Sequence, residues 1–489
     1  MMWKKLALGL LMISSVLGVS GWLWQTVHRR PQSFALSLWE TWQPWYAQTG
    51  RRIGVLRENV PTVNQVVIVP DLPTFLVAIQ EWSLQGRWPI LLKDSKYTQL
   101  FLEGFKPEKV IRLPSVNQPL PTGQTLRQEM LKSVAAAWEV SQPEQLGDQW
   151  RELGWKPPGV VITWEQDPSW PAAVALAADR GQPLTFLPGN FGKPNDVMSE
   201  ATWETLKNQV QSLVMQTGYP AIFLGDVIDT ITIVRDLAVK REAPPDLRLP
   251  PHKQEQQLAV MDGLARYENE QRWAVASWIY GDTSRAIYQA MSAIFLDPET
   301  ALLYNSYELK DNWNNYRMNG ANNTLKWMGF NTQLIQRPQA SLETWKNLVK
   351  KPFNFDLILI NSQGSARNFR VGDQDARVQD IPALKSPGIV HIIHSWSATW
   401  PADKGTIAGR WLDNGVYVYI GSVHEPYLTA FVTPQELVNC LQQGTPMVLA
   451  ARQFEEKSWK ITTIGDPLMT LLPPRRRVSP QDFFQNLEP

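Results

Sequence analysis

The sequence predicts an α/β protein: two successive α/β regions behind an N-terminal transmembrane helix. Three observations carry this. Strand-like and helix-like runs alternate through most of the 489 residues. A strand–helix–strand unit recurs, with Val67 and Val160 corresponding at a spacing of 93 residues. Two apolar runs, DLILINSQGS (356–365) and GIVHIIHSWSA (388–398), end in small polar residues, as buried strands of a parallel sheet do.

Bulk composition bounds the function. The chain is too long for one ordinary core. With 44% hydrophobic and 19% charged residues it is globular rather than disordered. A net charge of +1 supplies no field for nucleic acid, so no nucleic-acid partner is expected. The single cysteine, Cys440, excludes an intrachain disulfide and a cysteine zinc cluster. Five histidines (28, 252, 391, 394, 424) are too few for a histidine-rich metal site. No metal and no cofactor is expected.

In chain order, residues 1–30 predict an anchor or signal segment. Lys4 and Lys5 precede an uncharged apolar run from Leu6 to Trp24, and His28, Arg29 and Arg30 follow it. Nineteen residues at ~1.5 Å each span roughly 28 Å, about one hydrocarbon core. The expectation is a membrane partner through this helix, with the body outside the cytoplasm, in the cell envelope.

Residues 31–240 predict an N-terminal α/β domain of two related units. In the first, VNQVVIVPD (63–71) is a strand, TFLVAIQEWSLQG (74–86) a helix, and WPILLKD (88–94) and KVIRLPS (109–115) are strands. In the second, GVVITWEQD (159–167) is a strand, PSWPAAVALAADRGQ (168–182) a helix, and PLTFLPG (183–189) a strand. Ser199 caps a helix with apolar residues at Trp203, Leu206, Val210, Leu213 and Val214, and AIFLGD (221–226) reads as a further strand. The units are faintly similar to cell-wall-binding repeats of Gram-positive surface proteins, which would imply glycan binding. Four prolines among many charges make 241–256 a linker.

Residues 257–472 predict a C-terminal α/β domain. It contains the two apolar strands, a helical run TIAGRWL (406–412), a strand GVYVYIGS (415–422) and the turn GDP (465–467). Parallel sheets place reacting groups at strand C-termini, here SQGS (362–365) and HSWS (394–397). In this order and spacing, SQGS, IVHIIHSWS, TIAGRWL, GVYVYIGS and GDPLM resemble the catalytic domain of gingipain-type cysteine peptidases over roughly 356–470. The resemblance implies a caspase-like three-layer α/β/α fold. It also implies a histidine at Gln363 and a cysteine at His394, or at Ser395 if the turn shifts by one.

Those positions hold the wrong residues for thiol chemistry. Gln363 cannot exchange a proton near neutral pH, and neither His394 nor Ser395 is a thiolate. Cys440 lies with Leu437 and Leu441 on one helix face, which predicts a core thiol. A serine hydrolase would need Ser395 with His424 as base, oriented by Glu425 or Asp403. Gly364, Ser365, Trp396, Trp400 and Glu425 are the candidate binding residues, for a peptide or glycan ligand stacked on the tryptophans. Asp466 is expected to fix the GDP turn. Residues 473–489 form a basic tail, solvated or used for docking. The expected function is a membrane-anchored, non-proteolytic peptidase homologue acting as a binding or scaffold module. The alternatives are a Ser395–His424 hydrolase and a cell-wall or glycan-binding protein.

Overall fold

The computed structural model describes residues 33–94, 96–243, 257–454 and 460–485. Three strands, β1 (Gln65–Val69), β2 (Ile90–Leu92) and β3 (Lys109–Arg112), form a small parallel sheet in the order β2-β1-β3. The helix Leu72–Gln80 crosses from β1 to β2, and Asp71 caps it by accepting from the Thr74 amide.

Ten further strands build the main sheet: β4 (Gly159–Thr163), β5 (Leu184–Phe186), β6 (Thr230–Val234), β7 (Val275–Ile279), β8 (Thr300–Asn305), β9 (Asn331–Gln336), β10 (Leu357–Asn361), β11 (Gly388–Ile393), β12 (Val416–Ser422) and β13 (Ile461–Ile464). Their order is β9-β8-β10-β11-β12-β13-β7-β6-β4-β5. Every pairing is parallel except β12–β13. The sheet therefore has two halves that meet head to tail at that seam. Read inward from its outer edge, each half has the same order. The outer pair is β9-β8 in one and β5-β4 in the other, and in both the chain then returns to the inner side of the first-formed strand.

Alternation along the strands feeds two cores. Leu357 and Leu359 of β10 join one apolar cluster, while Ile358 and Ile360 join the other. The first cluster lies under the helices Gly123–Ala136, Trp170–Arg180, Thr283–Phe295 and Pro434–Gln442; the second lies under Glu200–Met215, Leu342–Val349 and Ile407–Asp413. Each buried Ile or Leu contributes about 2 kcal/mol of transfer free energy. The result is helices on both faces of a sheet.

Four expectations change. The transmembrane helix is corrected: among the described residues no helix is long and apolar enough to cross a membrane. The longest, Glu200–Met215, has 16 residues and carries Glu204 and Lys207. The apolar run 6–24 lies outside the described residues. Second, β4, β5 and β6 of the region preceding the C-terminal strands belong to the main sheet, while β1–β3 form a sheet of their own. Val67 and Val160 both sit on the first strand of a parallel three-strand unit, but in different sheets. Third, AIFLGD is not a strand; the strand is β6, a few residues later, where Thr230–Val234 is fully buried. Asp226 and Asp229 instead accept from the amides of Ile222 and Gly225, which holds 221–229 in turns.

Fourth, the basic tail docks. Arg477 and Val478 pair with Thr62 and Val63, and Arg475, 4% exposed, donates to Asp179 at 2.8 Å. Asp179 also meets Arg87 and Arg180; burial alone would raise its carboxyl, but the charges of Arg475, Arg180 and Arg87 hold it down at about 2. Arg180 reaches Asp466 at 3.0 Å, and Asp466 accepts from the Leu468 amide. The GDP turn is thus held by a buried ion pair as well as by its own backbone.

Candidate functional site

A cavity of about 380 Å³ opens where β8, β10 and β11 end. Its walls include Tyr307, Trp313, Gln363, His394, Ser395 and Glu425. The residues after β10 form a three-stranded antiparallel hairpin over 364–377. Gly372 begins its two-residue turn between Val371 and Gln374 with φ +66°, as such a turn requires. At the hairpin's root Gly364 has φ +152°, and a Cβ there would lie 2.4 Å from the Asn368 carbonyl oxygen and 3.0 Å from His394 Nε2. Only glycine lets the hairpin settle this closely on the end of β11.

His394 is 2% exposed. Its Nε2 lies 3.1 Å from the Asn368 carbonyl oxygen. A carbonyl only accepts, so Nε2 carries the proton and Nδ1 the lone pair. Nδ1 has no hydrogen-bond partner among the described residues. Burial lowers the ring's pKa to about 4, with the Ser395 and Asn368 carbonyls opposing. The imidazole is neutral at pH 7 and its proton is committed. His391 lies deeper, edge-on to Phe431, and burial lowers its pKa to about 4 as well.

Ser395 donates its hydroxyl to Glu425 Oε1 at 2.9 Å. His424, the base expected for it, does not line the cavity; its ring meets Trp396 edge-on, with centroids 5.8 Å apart. Trp396 itself has φ +57°, which turns the chain sharply after Ser395, and it is not among the residues that line the crevice. Asp403 bonds the Gly405 amide and faces Arg367, so it orients no imidazole. The structure therefore brings Gln363, Gly364, His394, Ser395 and Glu425 together. It leaves Ser365, Trp396, Trp400 and His424 outside the walls. Ser365 bonds Asn368. Trp400 lies between Lys240 and Arg367, at 5.3 and 5.6 Å from its ring. Cys440 is half-buried on its helix, beyond the cavity lining, and burial raises its pKa.

Sequence reasoning missed the aromatic wall. Tyr307 and Trp313 stack with centroids 3.5 Å apart, and the Tyr307 hydroxyl donates to the Ser362 carbonyl. Tyr427, 47% exposed, and Phe431 complete the wall. Tyr307 follows β8 by two residues, the strand-end position that Gln363 holds after β10. Treating ALLYNSYE as a third strand end would have found it. Arg370 and Asp375 come from the hairpin and pair at 3.4 Å. Among the described residues, no group of three or more His, Cys, Asp or Glu is placed to hold a metal ion.

No protein-family model matches the chain, and neither a curated protein nor a solved structure matches it significantly. Known proteins thus lend the expected peptidase homologue no support, and the mixed α/β fold is what the structure shows.

Proposed function

We propose that the chain is a non-proteolytic binding or scaffold module that takes a ligand in the crevice at the ends of β8, β10 and β11. The observation that carries this is the hydroxyl of Ser395, which is spent on Glu425 rather than on an imidazole. A nucleophile needs a base with lone-pair access to its proton, and that base needs an orienting partner. Here no hydrogen bond joins Ser395 to an imidazole among the described residues: Asn368 orients the His394 ring through Nε2, but Nδ1 makes no bond to the Ser395 hydroxyl, and burial disfavours the protonated ring. Gln363 neither takes nor gives a proton. The resemblance of the 356–470 motifs to gingipain-type peptidases supports a site at these strand ends, while Gln363 and His394 at the dyad positions argue against cleavage. Its volume lies within the range of about 300 to 1,000 Å³ usual for small-ligand sites.

The test is a cleavage assay with a mixed peptide library, run beside labelling with a fluorophosphonate. The expected result is no turnover and no adduct on Ser395. Turnover that Ser395→Ala abolishes would overturn the proposal.

A further inference from the structure

We infer that the crevice is built for a neutral, hydroxyl-rich sugar ring, held through its hydroxyl protons by Ser395 and Glu425 and through its C–H face by Trp313 and Tyr427. This rests on the binding reading above and names its ligand class.

The polarity of the walls carries it. Ser395 has given its only proton to Glu425, so its oxygen offers lone pairs alone. Glu425 accepts that proton at Oε1, and a carboxylate has lone pairs beyond the one used. His394 Nδ1 is buried beneath the wall and takes no part. Two adjoining groups in one cavity, Ser395 and Glu425, thus ask for donors. A ligand that supplies those donors gains affinity. Among the charged lining residues, Arg370 lies 3.4 Å from Asp375 and offsets it, which leaves Glu425 as the net charge. That disfavours carboxylates and phosphates, which bring acceptors and negative charge.

The flat walls decide what lies between the donors. Trp313 is backed by Tyr307, which fixes its plane, and Tyr427 is half exposed at the rim. A ring with hydroxyls around its edge and C–H groups on its face satisfies both features. An extended peptide alternates N–H with C=O, and carbonyls facing Ser395 and Glu425 would meet acceptors. A simple diamine would supply donors to Glu425 and the Ser395 oxygen but has no ring face for Trp313 and Tyr427.

The experiment is isothermal titration of the full chain with chitotetraose, cellotetraose and maltotetraose. A nonapeptide mixture, 1,6-diaminohexane and inorganic phosphate are the competing arms. One neutral tetrasaccharide is expected to bind. Tyr427→Ala and Glu425→Gln should each weaken it about tenfold, and Trp39→Ala, remote from the crevice and 77% exposed in the wild type, should leave it unchanged. Trp313→Ala is a third probe, and Tyr427→Ala, on an exposed side chain, covers the case in which that variant misfolds. Peptide or diamine binding that responds to the same substitutions, with no saccharide binding, would overturn the sugar assignment and leave the binding module standing. No saccharide binding at all, or saccharide binding indifferent to both substitutions, would overturn it too. Peptide turnover would instead remove the binding reading beneath it.

Discussion

In one half of the main sheet the loops after β8, β10 and β11 part around a cavity. In the other half the loops after β4 and β6 are packed shut by one side chain. Arg235, 2% exposed, lies 5.1 Å from the rings of both Trp164 and Phe191. Its guanidinium donates to the carbonyls of Leu187 and Gly189. Trp278 donates to the Arg235 carbonyl, and Asp167 accepts from the Asp236 amide. Strand order is the same in both halves, so topology makes strand ends available in both. The residues immediately after the strands decide whether a crevice stays open. Gln363, His394 and Tyr307 leave space; Arg235 and Trp164 fill it. Fold alone assigns no site.

The largest expected effect breaks the closed half. Arg235→Ala leaves the carbonyls of Leu187 and Gly189 without a donor and empties the space between two rings. It should cost about 3 kcal/mol in chemical denaturation. Glu425→Ala, in the open half and partly solvated, should cost under about 1 kcal/mol. A loss below 1 kcal/mol for Arg235→Ala would mean that both ends are equally permissive.

Acid should next separate the halves. His391 and His394 have folded pKa values of about 4 against an ordinary 6.5, because burial penalises the charged ring. Their folded values are depressed, so the stability they contribute is present above 6.5 and is lost as pH falls from 6.5 toward 4. For His394 this is about 2 kcal/mol between pH 7 and pH 5. The wild type should therefore lose more stability over that interval than His394→Gln does. Hydrogen exchange at pH 5 should quicken first in β10 and β11. Equal slopes for the two proteins would show that the ring is solvated.

Much of this fold was legible in sequence and some was not. Runs of Val, Ile and Leu bounded by turns marked the strands at 65–69, 159–163, 357–361, 388–393 and 416–422, because buried parallel strands are apolar on both faces. The β12–β13 seam was illegible: ITTI is a short run of ordinary residues, and nothing local says which strands will flank it. The join of β4–β6 to the later strands was hidden for the same reason, since β6 pairs with β7 across 45 residues, Thr230 with Val275 (275 − 230), and such pairing leaves no local trace. At the site, Gln363, His394, Ser395 and Glu425 were found because strand ends carry chemistry. The Ser395–Glu425 bond displaced the expected Ser395–His424 pair because Trp396 adopts a left-handed conformation that no sequence rule anticipates for a bulky residue. Tyr307 and Trp313 were missed because a loop aromatic has no periodicity to read.

Gly364→Ala sharpens the comparison at the hairpin. The open half is roofed by backbone, and the root of that roof has room for a hydrogen and nothing larger. A methyl group 2.4 Å from the Asn368 oxygen, on a backbone at φ +152°, must push the hairpin outward. The expected cost is about 1–2 kcal/mol, and water gains access to the His394 ring. Relief of burial, the largest cause of its lowered pKa, should outweigh the lost Asn368 carbonyl, so the ring should titrate nearer 6.5, as its proton NMR shift would record. An unmoved titration would mean that burial from below, not the hairpin, keeps the ring neutral.

The smallest effect is the most informative about chemistry. Ser395→Ala removes one partly exposed hydrogen bond to Glu425 and should change stability by only about 0.5 kcal/mol. Ser395→Cys tests what the surroundings would do with a thiol. A reactive thiolate needs a neighbouring cation or an available imidazole. Position 395 instead faces a carboxylate, which opposes ionisation of a thiol. The engineered thiol should react with iodoacetamide at pH 7 no faster than a free cysteine in solution. Reaction tenfold faster than that would mean that His394 or His424 can reach position 395 after all. In that event the open half would differ from the closed one by a latent catalytic pair as well as by an empty space.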